Sequence, residues 1–319
     1  MDSSDELKSP ERWSLSMKKI LTTMAIVLAA VALVIVLKNE YGYVFSGHTY
    51  GIPAAVEQEE INHLFIGSSM FRQGMDIDVL EEHLEGNVYI LSYNGNQPVF
   101  MAKELEYMLE NGVKVNNLYV DFYTYSMTAV PWIFDTKMFL DTDLGFKIDA
   151  WKTMNKHSDM DFNDFYEMFV TDNNEQILMY PINNLLVSSQ FRNGGSLLMP
   201  DGQDEEYLDT LDLGVRDGLN EEQIEAYDRL VQIAKEHEIE VVFIETPKYE
   251  KLLTDMREGS YSDLLAEMVV WAEEAGVEYL LAEDVEFNHA DGANFQDLIH
   301  LSGQGRKTYS EELIKYISK

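Results

Sequence analysis

The sequence predicts an α/β protein, a three-layer α/β/α sandwich with a five-stranded parallel sheet, and three observations predict it. Short apolar runs of strand length recur between segments of helical periodicity. Those runs are continuously apolar rather than alternating, as strands covered by helices on both faces require. Residues capable of chemistry gather just past the ends of the runs, where open parallel sheets bind their ligands. A chain of 319 residues is ample for such a core.

The elements run in order along the chain. Residues 63–66 read as the first strand, passing through Gly67-Ser68-Ser69 into a helix. Residues 76–84 read as a helix with Asp76 or Asp78 near its amino end. A second strand at 88–91 is closed by Ser92-Tyr93-Asn94-Gly95-Asn96. Met101, Leu105, Met108 and Leu109 recur at helical spacing within 99–110, and Asn111-Gly112 stops that helix. Residues 118–122 form the third strand. The rhythm breaks over about 124–215, where scattered aromatics, Asp, Asn and prolines suggest an inserted, mainly helical segment. It resumes with a helix at 220–238 capped by Asn220, a strand at 241–245 and a helix at 261–275 stopped by Gly276. A strand at 277–281 and a helix at 308–317 complete the pattern.

The amino terminus carries a separate signal. Residues 20–37 hold no charged or strongly polar side chain. Those 18 residues make about 27 Å of helix, close to the hydrocarbon thickness of a bilayer. Lys8, Arg12, Lys18 and Lys19 precede the run and Lys38 follows it, so residues 1–19 are expected in the cytoplasm and the remainder outside. A cleaved signal peptide competes with a transmembrane anchor. The run is longer than a usual signal core, and no clear small-x-small site follows it. Residues 38–60 are expected to be a linker and 61–319 the α/β domain with its insertion at about 124–215.

Composition removes whole classes of function. With no cysteine there is no disulfide framework, thiolate zinc site or cysteine nucleophile. A formal net charge of -34 argues against nucleic acid as a partner, because phosphate contacts need a surface rich in Lys and Arg. The acids are spread along the chain, as a solvated surface requires.

The candidate chemistry lies at two distant places. Ser69 follows the first strand, and the amides of the helix behind it can stabilise an oxyanion. Ser68 is the alternative nucleophile. Asp297 and His300 are three residues apart, so one helical turn brings the carboxylate to the imidazole. A serine, a histidine that takes its proton and an aspartate that orients the ring make a nucleophilic site. Gly95 offers a second amide for an oxyanion, with Asn94 or Asn96 beside it, and Arg72 could meet an anionic substrate group together with Asn94. His63 reads as structural. The spacing of His289, Asp291 and Asp297 matches no metal motif, and no cofactor is expected.

These segments resemble the SGNH (GDSL-type) hydrolase superfamily, of flavodoxin-like topology. Gly67-Ser68-Ser69 matches its first block, Gly95 its glycine block, and Asp297-x-x-His300 with Leu301-Ser302 its last. The likeness covers roughly 60–319 apart from the insertion. It is nearest in flavour to the membrane-anchored, DltD-like branch and to accessory proteins of envelope-polymer O-acylation. Glu245-Thr246-Pro247 adds to that likeness. The resemblance implies a Ser69–His300–Asp297 triad, with Ser69, Gly95 and Asn96 holding the oxyanion. It implies acyl-ester chemistry, by an esterase or an O-acyltransferase, on an acylated envelope glycan or teichoic-type polymer of a bacterial cell surface. A multi-spanning membrane acyltransferase is an implied partner. A non-catalytic scaffold of the same fold is the alternative. One block departs from the family: the third strand ends Val120-Asp121-Phe122-Tyr123 and lacks the asparagine that usually donates to the oxyanion.

Overall fold

The computed structural model describes residues 17–30, 49–139, 142–161, 163–164, 190–213, 218–259 and 262–318. The chain divides into two compact units, Met1–Ser46 and Gly47–Lys319.

In the first unit, residues 17–30 are helical, and Ile20, Leu21, Met24, Ile26, Val27 and Leu28 are all exposed. Among the described residues no helix is long and apolar enough to cross a membrane. The expected span at 20–37 is described only as far as residue 30, and the rest of it lies outside the described residues.

The second unit is built on five parallel strands: β1 (Glu60–Gly67), β2 (Val88–Ser92), β3 (Lys114–Asp121), β4 (Glu240–Ile244) and β5 (Glu278–Leu280), in the order β2-β1-β3-β4-β5. The chain leaves β1 for one edge, then returns past it to build the other side. The order therefore reverses between β1 and β3, which is where sheets of this topology place a ligand. β1 begins three residues before the sequence suggests, because polar Glu60 and Asn62 hide its start. Those residues still pair, Glu60 with Lys114 and Ile61 with Val115.

Helices cover both faces, and the strands divide their side chains between them. Leu64 and Ile66 of β1 face one core. There they join Phe100, Met101, Leu105 and Met108 of α4 (Pro98–Glu110) and Tyr227, Leu230, Val231 and Ala234 of α6 (Glu221–Glu236). Phe65 faces the other core, with Phe71 of α2 (Ser69–Gly74), Leu80 of α3 (Ile77–His83) and Tyr309 and Leu313 of α9 (Gly303–Ile317). Sequence periodicity does not reveal α1 (Gly51–Val56), α7 (Glu250–Glu258) or the full length of α9, which begins five residues before the expected start. Ser302 sets that start by accepting from the Gly305 amide at 3.0 Å. The unit also holds α5 (Leu144–Asn155), a 3-10 turn at Thr136–Phe139, a short hairpin at 191–196 and α8 (Ser262–Ala275). Residues 165–189 of the expected insertion lie outside the described residues.

Candidate active site

The turn that carries Ser69 follows from three small residues in a row. β1 ends at Gly67, and Ser68 caps α2, its Oγ accepting from the Met70 amide at 3.2 Å. The same Oγ donates to Asp121 Oδ2 at 2.6 Å, and the Ser68 amide donates to that oxygen at 3.1 Å. A side chain at position 67 would bring its Cβ within 2.7 Å of the Asp121 Cβ, so only glycine lets β1 and the end of β3 approach this closely. Ser69 is thereby fixed at the first turn of α2, where its amide has no partner inside the helix. Ser68, the alternative nucleophile, is buried and already committed to Asp121.

The histidine comes from a loop folded back on itself. Phe295 and Leu301 bridge as an antiparallel pair, and the Gln296 amide donates to the His300 carbonyl at 2.8 Å. Phe295, Leu298 and Leu301 anchor the loop in the core. Asp297 Oδ1 accepts from the amides of Ile299 and His300, both at 2.8 Å, which makes the turn that the sequence spacing predicts. Asp297 Oδ2 then lies 2.7 Å from His300 Nδ1, and His300 Nε2 lies 2.9 Å from Ser69 Oγ. A carboxylate at Nδ1 keeps the ring proton there and leaves the Nε2 lone pair facing the serine. Burial pushes the Asp297 carboxyl up, but the His300 bond, the ring charge and the two amides outweigh it, so it sits below its usual value. The aspartate therefore stays ionised at neutral pH.

Gly95 lies on the neighbouring loop with φ +61, and a Cβ there would come within 2.9 Å of the Phe134 ring. Neither its amide nor that of Ser69 donates to an acceptor among the described residues. Both strand-end turns thus present an available N–H near the switch point.

Asn96 departs from expectation. Its side-chain amide donates to both Glu104 oxygens, at 3.0 and 3.1 Å, and to the Gly67 carbonyl at 3.3 Å. Its backbone amide donates to the Tyr93 carbonyl. A side chain so fully used has no donor left for a developing oxyanion. Its partner Glu104 is wholly buried, and that burial holds its carboxyl well above the ordinary range despite the Asn96 bond.

Arg72 and Asn94 do meet. Arg72 Nη2 donates to Asn94 Oδ1, while Asp135 Oδ2 accepts from the Asn94 amide at 3.2 Å and lies 4.0 Å from Arg72 Nη1. His63 stands at the opposite end of β1, between Tyr119 and the Glu85 carbonyl. His289 Nδ1 meets the Lys248 carbonyl at 2.8 Å. Among the described residues, no three or more acidic and histidine side chains gather where they could hold a metal.

Several supporting residues are not evident from sequence. Asp121 is visible there as the carboxylate that ends the third strand, but its partner Ser68 is not. Gln73 of α2 accepts from Gln296 at 2.7 Å, tying the helix that carries Ser69 to the loop that carries His300. Lys248, fully buried after β4, bonds to Thr246 and lies 5.0 Å from the centre of the Tyr123 ring. A lysine in a loop gives no sequence sign of burial. A carboxylate ending a buried strand does give one, since it must find a partner.

No family model and no curated protein matches the chain. Among solved structures it is similar to a chain from Streptococcus pneumonia named as a candidate platelet activating factor. The TM-score is 0.40 at 12% identity, over 92% of this chain and 98% of that one. It is also similar to a candidate acylhydrolase of Bacteroides fragilis, with TM-score 0.39 at 9% identity over 82% and 88%. A GDSL-like lipase of Bacteroides thetaiotaomicron gives 0.38 at 10%, over 82% and 88%. Likenesses this distant carry no argument about activity. The geometry of the Ser69, His300 and Asp297 side chains carries it instead.

Proposed function

We propose that this chain is an extracytoplasmic acyl-ester enzyme acting through Ser69, His300 and Asp297 on an acylated envelope glycan or teichoic-type polymer. The carrying observation is the 2.9 Å approach of Ser69 Oγ to His300 Nε2 across 231 positions of sequence. His300 takes the serine proton as Oγ attacks the ester carbonyl carbon, and Asp297 holds the ring and offsets its charge. The amides of Ser69 and Gly95 receive the tetrahedral oxyanion. On collapse, the proton on His300 passes to the departing alkoxide, leaving the acyl group on Ser69. Water, or a hydroxyl of a second sugar or polyol, then gives its proton to His300 and takes the acyl group, restoring the serine. Water makes the protein an esterase; a hydroxyl acceptor makes it an O-acyltransferase. The apolar run at 20–37 would anchor it with the amino terminus in the cytoplasm, beside a multi-spanning acyltransferase as partner.

One observation favours a second reading, a non-catalytic scaffold for such a partner. With the Asn96 amide spent on Glu104, the donors proposed for the oxyanion shrink to the Ser69 and Gly95 amides. Loss of one donor typically costs about 3 kcal/mol of transition-state stabilisation.

Incubating the full-length chain with acylated envelope polymer, with and without added polyol, separates the readings. Ser69-dependent release of free acyl acid identifies an esterase, and acylated polyol identifies a transferase. No turnover in either condition, equal to Ser69→Ala, leaves the scaffold.

A further inference from the structure

We infer that the cavity walled by Arg72, Asn94, Gln296 and Leu301, chain neighbours of the Ser69–His300 pair, is a subsite for an anionic group of the substrate, a carboxylate or a phosphate; this rests on the acyl-ester reading of Ser69. The cavity measures about 340 Å³. Part of its wall comes from the three segments that carry the candidate site: Arg72 and Gln73 of α2, Ser92 and Asn94 at the end of β2, and Gln296 and Leu301 flanking Asp297 and His300; the 190–200 segment supplies much of the rest. That volume suits a charged group together with part of the molecule bearing it.

Its charge runs against the rest of the protein. In a chain of net charge -34, three cations line this one cavity, Arg72, Lys137 and Arg306, and a single carboxylate, Asp135, opposes them there. Asp135 is shared: Oδ1 accepts from Lys137 Nζ at 3.2 Å, and Oδ2 serves the Asn94 amide and faces Arg72. Arg306 is 3% exposed. Its Nε lies 3.5 Å from Asp76, and its Nη2 meets the Met199 sulfur at 2.9 Å. A thioether is a weak acceptor for a guanidinium. The Ser92 hydroxyl in the same wall is buried with no partner among the described residues. Ser92 Oγ and Arg306 Nε are thus buried without a hydrogen-bond partner among the described residues, which is costly unless a ligand supplies the missing acceptors. An oxyanion does so with charge-assisted bonds, and Arg and Lys are the side chains suited to it.

The test is calorimetric titration of the full-length protein with inorganic phosphate and with glucuronate at ionic strength fixed by chloride, with glucose as the neutral control. Saturable binding of at least one anion, and none of glucose, is expected. Lys137→Met, at a partly exposed position that tolerates change, weakens it roughly tenfold. Asp135→Asn removes the competing charge and tightens it several-fold, a gain that a merely damaged fold would not produce. No saturable anion binding, or equal binding in all three proteins, overturns the inference. Labelling of Ser69 by a fluorophosphonate is measured in parallel. Labelling without anion binding removes the subsite and leaves the acyl-ester reading standing. Anion binding without labelling removes the ester substrate, and with it the cavity's role as a substrate subsite.

Discussion

The Ser68 hydroxyl donates to the buried Asp121 carboxylate at 2.6 Å while accepting from the Met70 amide, so one side chain clamps the turn that carries Ser69 and caps its helix. Ser68→Ala loses both bonds and should cost about 1–2 kcal/mol of stability, read as a lower denaturant midpoint. It should also slow acylation of Ser69 beyond what the lost stability explains, because the turn no longer fixes Oγ against His300. Ser68→Thr keeps the hydroxyl and should recover most of the rate. Asp121→Asn retains an acceptor for Ser68 and should acylate faster than Asp121→Ala, which strands two donors. Equal rates in the Asn and Ala variants would show that the clamp does not position the serine.

Gly95 should tolerate no side chain. Its φ of +61 disfavours any L-residue, and a Cβ would meet Phe134 at 2.9 Å. Gly95→Ala displaces an amide proposed to receive the oxyanion, so kcat should fall about 10²-fold with KM changed far less. The double variant Gly95→Ala, Phe134→Ala relieves the contact and should regain part of the loss. A single variant of normal kcat would remove Gly95 from the site.

Lys248 gives the protein a distinctive alkaline response. Burial brings its ammonium down to about 8, although Glu245 and Asp121 pull it upward. An unfolded lysine titrates near about 10.4. Between those values the unfolded chain holds a proton that the folded one has shed, so stability rises with pH over that window and not below it. The buried hydroxyl of Tyr227, held well above its ordinary value by burial, opposes this only above pH of about 10. Urea unfolding at pH 7.5 and 9.5 should therefore show the parent gaining about 1–2 kcal/mol on Lys248→Met. Parallel pH profiles would contradict the assignment.

Much of this architecture is legible in the chain because continuous apolar runs mark strands covered on both sides. The Asp297–His300 turn is legible because a local carboxylate can cap the amides two and three residues ahead of it. What escapes is non-local. Whether Asn96 faces a substrate or Glu104 depends on α4 packing across the same face, and no pattern near residue 96 encodes that. The α9 start is hidden because Gly303 and Gly305 read as a loop, whereas the Ser302 cap and close packing against Asn294 make them helical. The cationic cavity gathers Arg72, Lys137 and Arg306 from three separate segments, so only the fold assembles it.

The most direct measurement is covalent labelling of the full-length protein by a fluorophosphonate, with the modified residue located by mass spectrometry. A single adduct on Ser69 is predicted, absent in Ser69→Ala and strongly slowed in His300→Ala, with Asp297→Asn slower than the parent by roughly 10⁴-fold. An unreactive Ser69 in the folded protein, or labelling at the same rate once His300 is gone, would contradict the account.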